Sequence, residues 1–228
     1  MYELFIANKN YSSWSLRPWV LLKTLGIAFT EHLVPFTDNS HEVYQKFSPT
    51  GRVPVLKDGE TIVWDSLAIA EYVAEHHVDV WPTDGTARAW ARSAAAEMHS
   101  GFSALRDLCT MNCGIRVTPN AITPALAKDI ARLGPLWSDG LTKFGGPFLA
   151  GETFTAVDAF YAPVAFRAQT YGLMFNPTAD AYVARLLALP AMAEWYAAAL
   201  AETFREQGHE DEAKGCGTWT ADLRANPA

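Results

Sequence analysis

The sequence predicts an α/β domain over residues 1–80, followed by an all-α domain over residues 86–228 that ends in a polar tail. Strand-like and helical segments alternate in the first part, whereas beyond about residue 84 the strand signals disappear and the apolar spacing becomes helical. Asp58-Gly59 separates two β-rich runs, which is a strong hairpin signal. The first domain therefore has the predicted order β-α-β, a link, β-β and α.

The first domain opens with a βαβ unit. Apolar residues alternate from Tyr2 to Ile6, as in a strand, and helical spacing follows over residues 16–25, with Gly26 as a stop residue. Residues 29–34 form the second predicted strand. Two strands joined by a helical crossover are expected to be parallel.

The second half of this domain is predicted as a hairpin followed by a helix. The β-rich runs cover residues 53–56 and 61–64, and a helix begins near Ser66. Residues 41–48 are predicted as either a short helix or an irregular link, because their apolar pattern is weak.

The remainder of the chain is rich in alanine and is predicted to be helical. Helices are expected at roughly residues 85–111, 123–143, 155–171, 178–188 and 191–206. Thr155-Ala-Val-Asp158 resembles a capping box with aspartate in place of glutamate. From Glu206 onward the chain is polar, and it is expected to be partly ordered at best.

Composition and charge exclude several classes of function. Hydrophobic residues make up 50% of the 228, so a core of ordinary size can form. The net charge of −7 argues against a general nucleic-acid binder, whose affinity would require a basic surface. No run reaches about 18 apolar residues, and the start of the sequence lacks the pattern of a secretory signal. We therefore expect a cytoplasmic protein with no membrane span.

The cysteines predict neither a disulfide framework nor a metal site. The chain has 3 cysteines, an odd number in a long chain. Cys109 and Cys113 are separated by three residues but lack two further ligands at zinc-site spacing. They are interpreted as reduced thiols.

Candidate chemistry begins where the first strand leads into the first helix. Ser12, Ser13 and Ser15 lie in this connection. Ligands of open α/β sheets bind at such strand ends, and a helix N-terminus favours an anion through its N–H groups and dipole. On this segment alone, simple capping of the helix by the serines is an equal alternative.

Two further segments could contact a ligand. Val53-Pro54 opens a strand, either with a trans bond or with a cis bond that turns the Val53 backbone groups toward a ligand. Asp65-Ser66 precedes a helix, where the carboxylate could pair with an ammonium group and the hydroxyl could hold a carboxylate. The alternative for this pair is an ordinary helix cap.

With these segments in this order, the chain resembles a glutathione S-transferase. The N-terminal part resembles the thioredoxin-like domain of that family, and the rest resembles its all-helical domain. Residues 12–17 are similar to the serine motif of the zeta-like classes and of bacterial maleylacetoacetate isomerases. Residues 52–56 match the cis-proline segment, Asp65-Ser66 the acidic-serine pair, and residues 155–158 the buried capping box.

The resemblance implies a serine mechanism. Ser12 would be the catalytic residue, donating a hydrogen bond to the glutathione thiolate. Ser13 is its rival, because the alignment through the turn can slip by one residue, and Ser15 is expected to cap the helix. Trp14 stands where zeta-like isomerases usually have cysteine, which weakens the isomerase interpretation.

The resemblance also implies how the rest of glutathione is bound. Backbone groups of Val53, next to Pro54, would pair with the cysteinyl part. Asp65 would take the γ-glutamyl ammonium group and Ser66 its carboxylate. Arg52 is a candidate for the glycine carboxylate.

The implied activity is attack of the glutathione thiolate on a small electrophile, a detoxification reaction, by a homodimer with glutathione as co-substrate and no metal. Because glutathione is an anion and the chain is acidic, local groups such as Arg17 must contribute to binding. Met98, Phe102 and Arg106 are candidates to face the sulfur from the helical domain. The alternatives are a glutathione-dependent cis-trans isomerase and a non-catalytic binding protein of the same fold.

Overall fold

The computed structural model describes residues 1–226, and its N-terminal domain contains one mixed sheet of four strands. The strands are β1 (Tyr2–Ile6), β2 (Phe29–Leu33), β3 (Val55–Asp58) and β4 (Thr61–Trp64). Their order is β2-β1-β3-β4, with β1 parallel to β2 and antiparallel to β3, and with β3 antiparallel to β4. The predicted parallel βαβ unit and the hairpin are therefore confirmed.

Three helices accompany this sheet, namely α1 (Ser13–Thr24), α2 (Ser40–Tyr44) and α3 (Ser66–Ala74). The short helix α2 resolves the ambiguous prediction for residues 41–48. Strand β3 begins at Val55 instead of residue 53, because Pro54 has no N–H to donate to the ladder.

The helical domain contains six helices between residues 85 and 201, listed here in chain order: α4 (Gly85–Ser100), α5 (Ser103–Leu108), α6 (Pro124–Phe144), α7 (Ala156–Tyr171), α8 (Pro177–Leu187) and α9 (Pro190–Ala201). A 3-10 turn at Val78–Val80 lies between α3 and α4. The domain limits at residues 80 and 86 stay a prediction.

The single helix predicted over residues 85–111 is wrong, because the chain breaks after α4. Phe102 has a φ of 55°, and α5 ends at Leu108. Distant groups stabilise this break. The Leu105 N–H donates to the Asp129 carboxylate at 3.0 Å, and the Cys109 carbonyl accepts from the Arg167 Nε at 2.8 Å. Neither partner is close in sequence, so helical spacing alone could not reveal the break.

Helix α7 is the centre of the helical domain and is buried along nearly its whole length. It packs against α1 of the N-terminal domain as well as against α4 and α8. The predicted capping box at its start is confirmed, since Asp158 accepts from the Thr155 N–H at 2.9 Å. The same carboxylate also accepts from the Leu149 N–H and the Tyr182 hydroxyl. Asp158 therefore joins three segments of the domain.

The C-terminal segment forms a helix and a strand up to Asp222, contrary to the expectation that it is partly ordered at best. Helix α10 (Gln207–Cys216) leads into β6 (Gly217–Asp222), which pairs antiparallel with β5 (Ile115–Pro119). The expectation that strands are absent beyond residue 84 is therefore also wrong. Each strand is short, and only their pairing across about a hundred residues satisfies their backbone groups. Residues 227 and 228 of the predicted tail lie outside the described residues.

No individual helix in the described part of the chain is long and apolar enough to span a membrane, although α8 and α9, bent by 69°, pass that test as a pair on length and composition.

Candidate functional site

Two adjoining cavities, of about 660 and about 260 Å³, form a cleft against the N-terminal end of α1. Trp14, Arg52 and Val53 line both cavities and therefore mark the junction between them. The larger cavity is also lined by residues of the helical domain and of α10. All residues predicted for the site, namely Ser12, Ser13, Arg52, Val53, Pro54, Asp65 and Ser66, line one cavity or both.

Ser12 and Ser13 line the larger cavity and are 6% and 8% exposed. Ser12 occupies the N-cap position of α1, but its side chain makes no capping hydrogen bond. Its hydroxyl donates instead to the Ser15 Oγ at 2.7 Å. The capping alternative for Ser12 is therefore not what the structure shows, and the hydroxyl lies beside the cavity.

Ser15 does not cap α1, so that prediction is wrong. It lies inside the first turn of the helix and is fully buried. Its Oγ accepts from the Ala7 N–H at 3.3 Å as well as from Ser12. Ser15 thus connects the end of β1 to Ser12, a role that follows from the fold of the turn.

The Val53-Pro54 peptide bond is cis, as the resemblance implied. Pro54 lines the smaller cavity, and Val53 lines both. Gly51 lies just before this segment with a φ of +62°, and a Cβ there would collide with the ring of His41. Gly51 and His41 both line the larger cavity. Glycine is therefore required where the chain turns into the cis-proline segment.

Asp65 caps α3, so the alternative prediction of an ordinary helix cap is confirmed for this residue. Its Oδ1 accepts from the Leu67 N–H at 2.8 Å and from the Ala68 N–H at 3.4 Å. The other oxygen, Oδ2, lies 3.5 Å from the His99 Nε2. Asp65 lines the smaller cavity, and its Oδ2 takes no part in the capping bonds.

Ser66 is 1% exposed and lines the same cavity beside a buried arginine. The Arg17 Nη1 donates to the Ser66 Oγ at 3.4 Å, and the guanidinium carbon lies 4.1 Å from the Trp14 ring centroid. Burial, together with the nearby positive charges of Arg167 and Arg106, lowers the pKa of Arg17 to about 9. Its Nε is buried without a partner among residues 1–226. An anion at Ser66 would therefore be strongly favoured.

The helical domain contributes fewer of the predicted residues. Met98 is fully buried and Phe102 is 6% exposed, and neither lines the cleft, so those two predictions are wrong. Arg106 on α5 does line the larger cavity. Sequence reasoning missed Arg167 on α7, which lines it too. A buried arginine within an apolar helical stripe was the available signal.

Helix α10 closes one side of the larger cavity with His209 and Glu212, which were also missed. A buried network holds this segment to the serine motif. The Tyr11 hydroxyl donates to the Glu210 Oε1 at 2.8 Å, and Arg224 donates to both oxygens of Glu210 at 2.5 and 2.9 Å. The tail is thus part of the cleft.

The cysteines do not take part in this site. Cys109 and Cys113 are buried, and burial raises the pKa of Cys109 to about 12. Between residues 1 and 226, no group of three histidine, cysteine or acidic side chains could hold a metal ion.

Comparison with known proteins identifies the family. Residues 11–76 match the model for the N-terminal domain of glutathione S-transferases, and residues 88–198 match the model for the C-terminal domain. The chain belongs to the glutathione S-transferase family. Within this family it is 29% identical over 123 residues to a zeta class glutathione S-transferase of Euphorbia esula, covering 53% of this chain and 55% of that protein. A probable maleylacetoacetate isomerase of Vibrio cholerae is 28% identical over 165 residues, covering 69% and 76%.

The match to the first of these relatives spans about half of its length.

Solved structures show the same fold. A glutathione transferase homologue from Burkholderia GL BGR1, with bound glutathione, has a TM-score of 0.63 at 23% identity, covering 87% of this chain and 97% of the homologue. The Tau class enzyme from mango, Mangifera indica, has a TM-score of 0.66 at 21% identity, covering 94% and 96%.

Proposed function

We propose that this transferase-family protein binds glutathione and uses its thiolate to attack a small electrophile. The observation that carries the proposal is the convergence of three separate segments on one cleft. The serine motif, the cis-proline segment and the Asp65-Ser66 pair line two cavities that meet at Trp14, Arg52 and Val53. The bound glutathione in the Burkholderia homologue supports the choice of ligand.

Ser12 is the proposed catalytic residue because its hydroxyl lies beside the larger cavity at the start of α1. A free thiol titrates near 8.5, and a shift of about two units, worth about 2.7 kcal/mol, would leave it mostly ionised at neutral pH. A hydrogen bond to a charged acceptor contributes roughly 1.5–3 kcal/mol, and the helix N-terminus adds roughly 0.3–1 kcal/mol. One serine therefore suffices. Its O–H would turn from the Ser15 Oγ to the sulfur, while the Ser15 O–H can donate back to Ser12.

The smaller cavity is the proposed γ-glutamyl site. The Asp65 Oδ2, which its capping bonds leave available, would accept from the ammonium group. The Ser66 hydroxyl and the Arg17 guanidinium would bind the carboxylate, which also supplies the buried arginine with a counter-charge. Val53 would pair with the cysteinyl backbone, and Arg52 would bind the glycine carboxylate at the junction.

Binding and ionisation of glutathione test this proposal directly. Titration calorimetry of the purified protein should show binding at millimolar or lower glutathione. The ultraviolet absorbance of the thiolate in the complex, followed against pH, should give a pKa about two units below that of free glutathione. The absence of binding would favour a non-catalytic protein of the same fold, and binding with an unshifted thiol pKa would remove the serine mechanism.

Glutathione-dependent cis-trans isomerisation is a second candidate, favoured by the similarity to the Vibrio cholerae protein. In that reaction the thiolate adds to a double bond, the resulting single bond between the same two carbons rotates, and the thiolate leaves again as the double bond re-forms. Incubation with a cis-dienone acid separates the two reactions, because an isomerase turns over without consuming glutathione. Stoichiometric loss of the thiol would identify a transferase.

We also propose that the protein is a homodimer. Strand β4 and helix α3 expose an apolar concavity of about 580 Å³, where Ile62 and Trp64 are 39% and 44% exposed. Exposed apolar patches on folded proteins commonly mark interaction sites. Light scattering should give twice the chain mass of 25.1 kDa, and Trp64→Glu should shift the protein to the monomer. A monomeric wild type would contradict this proposal alone.

A further inference from the structure

Two arginines of the helical domain line the larger cavity without a carboxylate partner. Arg106 lies on α5 and Arg167 on α7, and neither forms an ion pair within the described residues 1–226. Arginine is rarely buried unless it is paired, because removal of its charge from water is costly. Arg167, which is buried, therefore requires a separate explanation, and the half-exposed Arg106 adds a second unpaired positive charge to the same cavity.

Arg167 is the more informative of the two because it is only 4% exposed. Its Nε donates to the Cys109 carbonyl at 2.8 Å, while its two Nη atoms make no hydrogen bond within the described chain. Burial and the charge of Arg106 lower the pKa of Arg167 to about 10, although the neighbouring Tyr171 and Cys109 oppose this. The Nη side of the guanidinium is thus left for a ligand in the cavity that Arg167 lines.

Arg106 supplies the second positive charge from the half-exposed surface of α5. Its Nη1 donates to the His99 carbonyl at 3.2 Å, and its guanidinium carbon lies 5.5 Å from the Trp14 ring centroid. Two carboxylates line the same cavity, those of Asp107 and Glu212, but both residues are exposed to solvent. Neither neutralises the arginines through an ion pair.

We propose that the electrophile carries a carboxylate, and that Arg106 and Arg167 bind it. This inference rests on the proposed glutathione transferase function. The two carboxylates of glutathione are already assigned there, one to Ser66 with Arg17 and the other to Arg52. The two helical-domain arginines therefore remain for the second substrate. Tyr11, Phe36 and Met111 line the same cavity and would contact the apolar part of that substrate.

A matched pair of electrophiles tests this charge preference. The probes are 4-chloro-3,5-dinitrobenzoate and its methyl ester, which have the same leaving group and differ at the carboxylate. In both reactions the thiol proton goes to solvent, a C–S bond forms at the ring, and the C–Cl bond breaks with loss of chloride and its electron pair. The ratio of kcat/KM for the two probes, corrected for their uncatalysed rates, measures the preference.

The wild type should prefer the carboxylate probe by about 10- to 100-fold, the range expected for charge-assisted hydrogen bonds. Arg106→Gln should remove most of this preference by raising KM for the carboxylate probe, with less than a twofold change for the ester. Arg167→Lys should retain more of the preference than Arg167→Gln, because lysine keeps the charge. Arg185→Gln, on the exposed surface of α8, is the matched control and should change neither probe.

Three results would overturn the inference. Equal kcat/KM for both probes in the wild type would leave the transferase function intact and remove the carboxylate preference. An equal loss of kcat/KM for both probes in Arg106→Gln, accompanied by a higher thiol pKa in the glutathione complex, would show that the arginines stabilise the glutathione thiolate instead of the carboxylate of the electrophile. No reaction with either probe and no glutathione binding would overturn the proposed function together with the inference. Because Arg106 is half-exposed, its variant provides the test even if the Arg167 variants do not fold.

Discussion

The two walls of the cleft are assembled in different ways. The wall that forms the proposed glutathione site comes from the N-terminal domain, between Tyr11 and Ser66, and consists of three turns together with α2 and Phe36. The opposite wall comes from α5, α7 and α10, whose contributing residues Arg106 and His209 are about a hundred positions apart. One wall therefore depends on local turn chemistry at the ends of β1, β3 and β4. The other depends on the long-range packing of the helical domain and its C-terminal segment.

We call the N-terminal wall the first wall and the wall formed by α5, α7 and α10 the second wall. The largest expected effect is on the packing that supports the second wall. Asp158→Ala would leave the buried Leu149 and Thr155 N–H groups and the Tyr182 hydroxyl without their acceptor. Loss of a cap and of buried hydrogen bonds should lower the free energy of unfolding by at least about 3 kcal/mol. Urea unfolding measures this change. Thr155→Ser, which keeps the hydroxyl, should change stability by less than about 1 kcal/mol.

A small effect of Asp158→Ala would contradict the view that the helical wall is held together at this carboxylate. Burial raises the pKa of Asp158 to about 6, although four hydrogen bonds oppose the shift. The folded state therefore holds this proton more tightly than the unfolded chain does. The contribution of Asp158 to stability should accordingly decline as the pH rises from about 4 to about 6, and this decline should be absent in Asp158→Asn.

The next effect concerns the first wall and leaves the second unchanged. Ser12→Ala should raise the thiol pKa of bound glutathione and slow conjugation by about 10- to 100-fold, because about 1.5–3 kcal/mol of hydrogen bonding is lost. The thiolate absorbance of the complex and kcat/KM for the ester probe report this change. Ser13→Ala is the matched control, since Ser13 lines the same cavity.

If Ser13→Ala had the larger effect, the catalytic role would move by one residue along the turn. Ser15→Ala sharpens this comparison further, since Ser15 contacts Ser12 but lies outside the cavity linings. Its effect on the thiol pKa should be smaller than that of Ser12→Ala and have the same sign.

The smallest effect concerns the attachment of the C-terminal segment. Burial alone would raise the pKa of Glu210, but hydrogen bonds from Arg224 and Tyr11 lower it below its ordinary value. The stabilisation by this carboxylate is therefore present above the unfolded pKa, near 4.5, and is lost as the pH falls through the folded pKa. Hydrogen exchange of residues 207–222 should accelerate over that acidic range before the core unfolds.

Arg224→Gln should loosen the same segment at neutral pH by about 1.5 kcal/mol or more, because Glu210 loses both of the charged hydrogen bonds that Arg224 donates to it. The change should alter KM for the electrophile and leave glutathione binding unchanged. Equal effects on both ligands would show that the two walls are coupled, which would contradict the view that they are assembled separately.

The first wall could be predicted from the sequence because each motif is a short turn between two elements. Asp58-Gly59, Val53-Pro54 and the serine motif carry their own local signals, and each lies where expected. The predictions failed where a local pattern has a distant partner. Ser15 was predicted as a cap but accepts from Ala7 inside the helix, and the break at Phe102 depends on Asp129.

By itself, the sequence determined the order of elements in the first domain, the parallel βαβ unit, the hairpin and the motifs of the proposed glutathione site, because propensities and turn chemistry act over a few residues. Only the tertiary structure decided that β5 and β6 pair, that α10 closes the cleft, and that Arg106 and Arg167 line one cavity. Those features depend on contacts between residues far apart in the chain, whose energies become available only when the helical domain packs around α7.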